Sequence, residues 1–258
     1  GGFVIAAVLM GIMYLTLVLS LAEMSAAIPA AGGGYSFARQ AMGPAGGYLT
    51  GLAVLIEYSL APAAIVIFIG SAVNELIGID GPVVYALFYL AFVGIHIFGA
   101  GEALKVMMVI SALAVLAIVA TGVVLLPEFD ATRLFDIEPA AGGTEFLPMG
   151  YYGVWSALPF AMWLFLAVEG VPLAAEEAKD PAKDVPKGII GAMIFLLFTA
   201  VLVVVLVTGA AGAKVMGDSA VPLVDALKMT GHSSVATMVN VLGLAGLIAS
   251  FFSIIYGY

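Results

Sequence analysis

Apolar residues in this 258-residue chain come in long unbroken blocks, not in the three-or-four spacing of a surface helix or the alternation of a half-buried strand. Seven blocks run at about 3–25, 45–73, 82–99, 104–126, 150–173, 188–210 and 235–258. Each is apolar on every side and near the length of about 20 residues that a helix needs to cross the hydrocarbon core. Within lipid the backbone must satisfy its own polar groups, which leaves helices or a closed barrel. A barrel strand alternates between lipid-facing and lumen-facing residues, and these blocks do not. The pattern therefore predicts an all-α polytopic membrane protein, a single transmembrane domain over residues 1–258 with about seven transmembrane helices. The first block begins at Phe3 and the last runs to Tyr258, without polar flanks, so the chain is expected to be cut at both ends.

The connections are short and polar. Residues 29–44 begin glycine-rich, and their aromatic and basic second half suits the membrane interface. The Gly32-Gly33-Gly34 run lacks the Lys and Ser/Thr of a phosphate loop, and a turn is expected there. Gly43, Gly47 and Gly51 recur every four residues and predict a smooth helix face for close packing. The longest loop, 127–149, is acidic, and 211–234 holds one amphipathic stretch at about 221–229.

Composition narrows the function classes. At 64% hydrophobic and 10% charged residues, with a mean hydropathy of +1.20, water is not the main solvent of this chain. The net charge of −9 sits mostly in loops, and nucleic acid is not an expected partner. Without cysteine there is no disulfide and no thiolate metal site, and no cofactor or metal is expected. Two distant histidines, no HExxH and no nucleophile–base–orienter set argue against a membrane-embedded enzyme. Orientation follows the lysines and arginines: Lys179, Lys183 and Lys187 lie in a short segment next to two blocks, which places loop 179–187 in the cytoplasm.

Carboxylates inside the blocks are the most informative residues, because each costs about 2.5–3.5 kcal/mol at the bilayer centre on insertion scales. Glu57 lies deep in the second block and must face protein or water. It is either a proton carrier or counter-ion for a cationic substrate, or a protonated carboxyl bonded between helices. Glu169 follows Trp163-Leu-Phe-Leu-Ala-Val, with Pro159 before it and Gly170 and Pro172 after it. Proline frees backbone groups one turn back. Those groups are met by a substrate or ion in a broken helix, or by neighbouring helices at a plain kink. His96 has no partner at ligand spacing and is expected to be structural.

Ser20-Leu-Ala-Glu23-Met-Ser-Ala-Ala-Ile-Pro29-Ala-Ala-Gly32-Gly-Gly-Tyr35, then Glu169 with Ala175-Glu176-Glu177-Ala-Lys179-Asp180-Pro181 and Val185-Pro186, resemble the amino acid, polyamine and organocation transporter superfamily. Within it the chain is most similar to the ethanolamine permease branch. The resemblance implies a partial LeuT-type fold of two inverted five-helix repeats, with this chain covering family segments two to eight. The fifth block would then be a broken helix, unwound near Phe165 to Val168, where the carbonyls of Phe165, Leu166, Ala167 and Val168 would receive a substrate ammonium. Trp163 matches a gating aromatic of the arginine/agmatine antiporters, and Glu169 a proton-responsive carboxylate. Glu57 and Tyr58 match a Glu-Tyr pair of cationic amino-acid transporters. Phe251 and Ile254 offer apolar material where relatives often have tryptophan, which suits a small substrate. Ala114 stands near the position where some proton-coupled relatives carry a lysine, which argues against a lysine-based proton mechanism; the coupling ion, proton or sodium, stays open, and Glu57 or Glu169 would have to supply any proton coupling.

The function expected is secondary transport of a small amine or amino acid, with ethanolamine foremost, across the cytoplasmic membrane by alternating access. The alternatives are an amino-acid permease of the same superfamily, or a channel or non-transporting membrane subunit.

Overall fold

The computed structural model describes residues 1–28, 32–98 and 101–256. Pro29 to Ala31 of the first connection, Gly99 at the end of the third block, and Gly257 and Tyr258 at the end of the last lie outside the described residues. Among the described residues the chain is helical and contains no strand. The helices are α1 (Gly2–Ala27), α2 (Gly33–Ile77), α3 (Pro82–Phe98), α4 (Gly101–Leu125), α5 (Gly150–Met162), α6 (Pro181–Val201), α7 (Thr208–Ala211), α8 (Ala213–Asp218), α9 (Pro222–Met229) and α10 (Ser233–Tyr256). A π-helical segment, Leu202–Val207, joins α6 to α7.

Among the described residues, five helical runs are long and apolar enough to cross a membrane: Gly2–Ala27, Gly33–Ile77, Val106–Glu128, Pro181–Ala211 and Ser233–Ile255. Pro82–Ile97 is a shorter apolar helix. The remaining expected stretch, 150–173, is divided: α5 stops at Met162, and a 3-10 helix, Val168–Glu177, follows. Large apolar side chains such as Ile12, Leu60, Val83, Leu90 and Phe198 stand well exposed on these helices, which is what a lipid-facing surface requires.

Two boundaries differ from the hydrophobic pattern for local reasons. The helix expected from Gly188 begins at Pro181, because proline is preorganised for a first helical position and the Asp184 carboxylate accepts the Asp180 N–H at 3.0 Å. Its first turns carry Lys183, Asp184 and Lys187, which a search for apolar runs leaves out. Helix α2 contains a break at Gly43, whose φ of 75° and ψ of −169° are not helical. Pro44 follows, and the residue before a proline is sterically driven out of the α region.

Gly43 is therefore not part of a continuous glycine face with Gly47 and Gly51. It is the corner at which residues 33–42 fold back on the helix that starts at residue 44. Gly47 and Gly51 line that fold-back: a Cβ on Gly47 would lie 2.7 Å from the Arg39 Cβ, and one on Gly51 3.1 Å from the Tyr35 ring. On the short helix, Arg39 Nη1 donates to the Tyr35 hydroxyl at 2.7 Å.

The residues group into two units, Gly1–Ile56 with Ile137–Val201 and Glu57–Asp136 with Leu202–Tyr258. In the first, Tyr14, Val18, Leu21 and Ala22 recur at helical spacing along α1 and bury one face. That face packs with Ile189, Met193 and Ala200 of α6, Phe37 of the short helix, and Phe165 and Val168 from beyond α5. In the second, Ala117 and Leu125 of α4 pack with Val207, α7, α9 and the start of α10. Asn240 of α10, 4% exposed, donates to the Ala72 carbonyl at 3.2 Å, which satisfies a polar group that burial would otherwise penalise. The acidic loop is tied down there too. Arg133 donates to the Ala210 carbonyl, and Asp136 accepts the Lys214 N–H. Asp130 accepts both the hydroxyl and the N–H of Thr132, and these bonds, the hydroxyl first, hold its carboxyl below the usual carboxylate range.

Candidate functional site: an interrupted helix with a carboxylate clasp

Helix α5 carries Pro159 in its last turn and ends at Met162. The hydrogen bonds then tighten: Leu164 N–H donates to the Ala161 carbonyl at 3.2 Å and Phe165 N–H to Met162 at 3.0 Å, each three residues back. Ala167 turns the chain with φ 73° and ψ −1°, the left-handed conformation. An L-residue there has its Cβ crowded against the following carbonyl, so the position needs support. Glu169 supplies it: its Oε1 accepts the Ala167 N–H at 2.9 Å, while the Ala167 carbonyl accepts the Gly170 N–H at 3.1 Å. The 3-10 helix Val168–Glu177 continues from there with Pro172 inside it.

Burial divides the residues around this break. Phe165 and Val168 are 2% and 4% exposed and sit in the α1–α6 core. The Phe165 ring lies 5.9 Å from that of Tyr14, tilted against it. Trp163 stands out at 43% exposed, and Leu166, Ala167 and Glu169 are half-buried. The less buried residues of the break thus include Trp163, Leu166, Ala167 and Glu169, while Phe165 and Val168 anchor it in the core.

Below the break, fully buried Pro172 and its neighbour Leu173 meet the glycine turn after α1. Gly33 has φ +47°, and a Cβ on it would lie 2.9 Å from Leu173 Cδ2. The two sequence segments that carry the family resemblance are thus in contact.

All of residues 1–258 match the family model for amino acid permeases. The chain belongs to the amino acid permease family. With its series of long apolar helices it is a multi-pass membrane protein. It is 29% identical over 239 residues to an uncharacterized transporter of Rhizobium meliloti, covering 90% of this chain and 50% of that protein. It is 26% identical over 254 residues to a branched-chain amino acid permease of Lactococcus lactis, covering 89% and 53%. A methylthioribose transporter of Bacillus subtilis is 26% identical over 270 residues, covering 98% and 57%. The chain spans about half the length of the curated relatives it matches. The superfamily resemblance is shown by the family match, and the relatives are named as transporters and permeases.

The other sequence-derived residues of this permease chain belong to the second unit. Glu57 is half-buried on α2 beside exposed Leu55 and Ile56, and Tyr58 is 7% exposed. Phe251 is fully buried, edge-on to Tyr89 at 5.0 Å and to Phe92 at 5.8 Å. His96 extends this aromatic group: its ring lies 4.3 Å from Phe252, and its Nδ1 is 2.6 Å from the Phe92 carbonyl. Among the described residues no three His, Asp or Glu side chains are grouped to hold a metal.

Sequence reasoning missed Ala167 as the turning residue. Alanine is the best helix former, and no propensity rule places it in a left-handed corner. It also missed Tyr14 and Gly11. A Cβ on Gly11 would lie 3.4 Å from Phe165 Cζ and 3.2 Å from Leu197 Cδ2, so the bare glycine is what admits the Phe165 ring to α1.

Proposed function

We propose that the full-length protein is a secondary transporter of a small amino acid or amine in the cytoplasmic (inner) membrane, working by alternating access. The observation that carries this reading is the interruption of the fifth apolar stretch at residues 163–167, with a carboxylate at its edge. A discontinuous helix places backbone carbonyls and a half-helix terminus at mid-membrane, where they replace the water shell of a charged substrate group. Here the carbonyls at the break and the Glu169 carboxylate hold the substrate ammonium, and Trp163 closes over it. Rocking of helices within a LeuT-type arrangement, of which this chain supplies family segments two to eight, exposes the substrate to each side in turn. A proton or sodium ion drives the cycle, and Glu57 and Glu169 are the proton-responsive candidates.

The full-match amino acid permease family and the branched-chain relative favour amino acids as substrates. Ethanolamine is the small-amine form of the same reading, sharing the ammonium and lacking the carboxylate. Competition in proteoliposomes separates them. Uptake of labelled ethanolamine that saturates and that leucine, isoleucine and valine do not suppress identifies the amine carrier; the reverse identifies the amino-acid carrier. Uptake that rises linearly with concentration and is blocked by neither removes a carrier mechanism in favour of a channel.

The topology has its own check. Lys183 lies 73% exposed beside Asp180 at the start of α6, and the sequence contains no cysteine. A Lys183→Cys variant in a cysteine-free full-length background is expected to react with a membrane-impermeant maleimide only after cell lysis. Labelling on intact cells would invert the orientation.

A further inference from the structure

We infer that Ala167 and Glu169 form a strained latch that the cationic group of a substrate opens, so that binding at the break is coupled to its backbone conformation. The inference rests on the reading of the break as the substrate site. Among the described residues, Ala167 is the one non-glycine with positive φ, at 73°; every other such corner, from Gly33 to Gly231, is a glycine. Glycine adopts this conformation without steric cost, and alanine does not. A stable corner would be built most simply with glycine, as the chain does elsewhere. Strain kept in an interrupted membrane helix instead points to a conformation that has to be left.

What holds Ala167 is also what a substrate would seek. Its N–H is engaged by Glu169 Oε1 at 2.9 Å, and its flanks are fixed by Phe165 and Val168 in the α1–α6 core. A neutral amide donating to a carboxylate is a weaker partner than an ammonium donating to the same carboxylate. When the ammonium takes Glu169, the tie to the Ala167 N–H is lost, and with it the support for the left-handed corner. The residue then relaxes toward the right-handed region and the helix shortens its gap around the ligand. The two arrangements differ by one hydrogen bond and one backbone strain of opposite sign. That near balance is what allows a small ligand to shift the population. Ala167 is half-buried, and so is Glu169 as a residue, although its Oε2 is enclosed by the protein.

The test is substrate response in the full-length protein, comparing wild type with Ala167→Gly, Glu169→Gln and the double variant. Glycine removes the strain while keeping the N–H. It should favour the latched state and raise the apparent KM about five- to thirty-fold, the factor corresponding to the left-handed penalty of an L-residue, with the maximal rate no lower and the melting temperature equal or higher. Glutamine keeps an oxygen for the Ala167 N–H but no charge for the ammonium. It should raise KM as well, and adding Ala167→Gly to it should have less than its single-variant effect, since the two act on one equilibrium. Hydrogen–deuterium exchange over residues 163–170 reads the backbone directly: substrate is expected to change exchange in wild type, and less so in Ala167→Gly at the same concentration. If substrate changes wild-type exchange but Ala167→Gly leaves KM at the wild-type value, the latch is refuted and the substrate site stands. If saturating substrate leaves wild-type exchange over 163–170 unaltered, the site reading fails and takes the latch with it.

Discussion

Replacing Phe165 by alanine is expected to lower stability by about 3–5 kcal/mol, the usual cost of removing a buried phenylalanine ring, and to abolish saturable uptake. The ring is 2% exposed and fills the space between Tyr14 and Gly11 on α1 and the α6 residues Ile189 and Met193. The loss extends beyond stability, since Phe165 anchors the first half of the break and Val168 the second. Trp163→Ala is the matched control. Its side chain is 43% exposed, so its removal should leave melting nearly unchanged while weakening substrate binding. Thermal melts of the purified full-length variants, paired with uptake, check both statements. A Phe165→Ala protein that melts with Trp163→Ala would remove Phe165 from the anchoring role.

The second large effect is expected at Glu169. Leucine there matches the carboxylate in size but provides no acceptor, so the Ala167 N–H loses its partner and, under the proposed function, the substrate ammonium loses its counter-charge. A fully buried donor left unpaired costs about 1–3 kcal/mol, an upper bound for the half-buried Ala167 N–H, and hydrogen bonds to charged groups contribute about 1.5–3 kcal/mol each. The second figure corresponds to a loss of apparent affinity of roughly ten- to 150-fold, and the first appears as lowered stability. Glu169→Gln should retain most of the stability and still lose affinity, because its amide oxygen continues to accept the backbone bond. Uptake by Glu169→Leu at the wild-type KM would dissociate the carboxylate from the substrate.

The existence of the helices was legible because lipid imposes a simple rule: long apolar blocks, with polar residues at the ends. Their limits were less so. The charged first turns of α6 fall outside any apolar run, although Asp180-Pro181 carries a readable start signal. Gly43-Pro44 likewise marks a corner, but the four-residue glycine spacing points to a continuous face and hides it. The proline-bracketed carboxylate Glu169 was conspicuous in the sequence, and an unwound stretch was expected near Phe165 to Val168. The division of labour within it was not. Trp163, Phe165, Leu166 and Val168 are all large and apolar, and in a membrane protein that property is shared by residues facing lipid, ligand and core. Only packing against α1 separates Phe165 and Val168 from Leu166 and Trp163. The left-handed turn at Ala167 gave no signal at all, since its conformation comes from the Glu169 carboxylate two residues later and from anchors on both sides.

The central claim is that substrate occupies the break between α5 and the following 3-10 helix. It is tested most directly by a Trp163→Cys variant of the full-length protein, free of other cysteines and reconstituted in liposomes, with the rate of maleimide labelling measured against substrate concentration. The account predicts that labelling slows in a saturable way, with a half-effect concentration matching the KM of the same variant. Labelling that stays constant up to saturating substrate, in a variant that still transports, would contradict it.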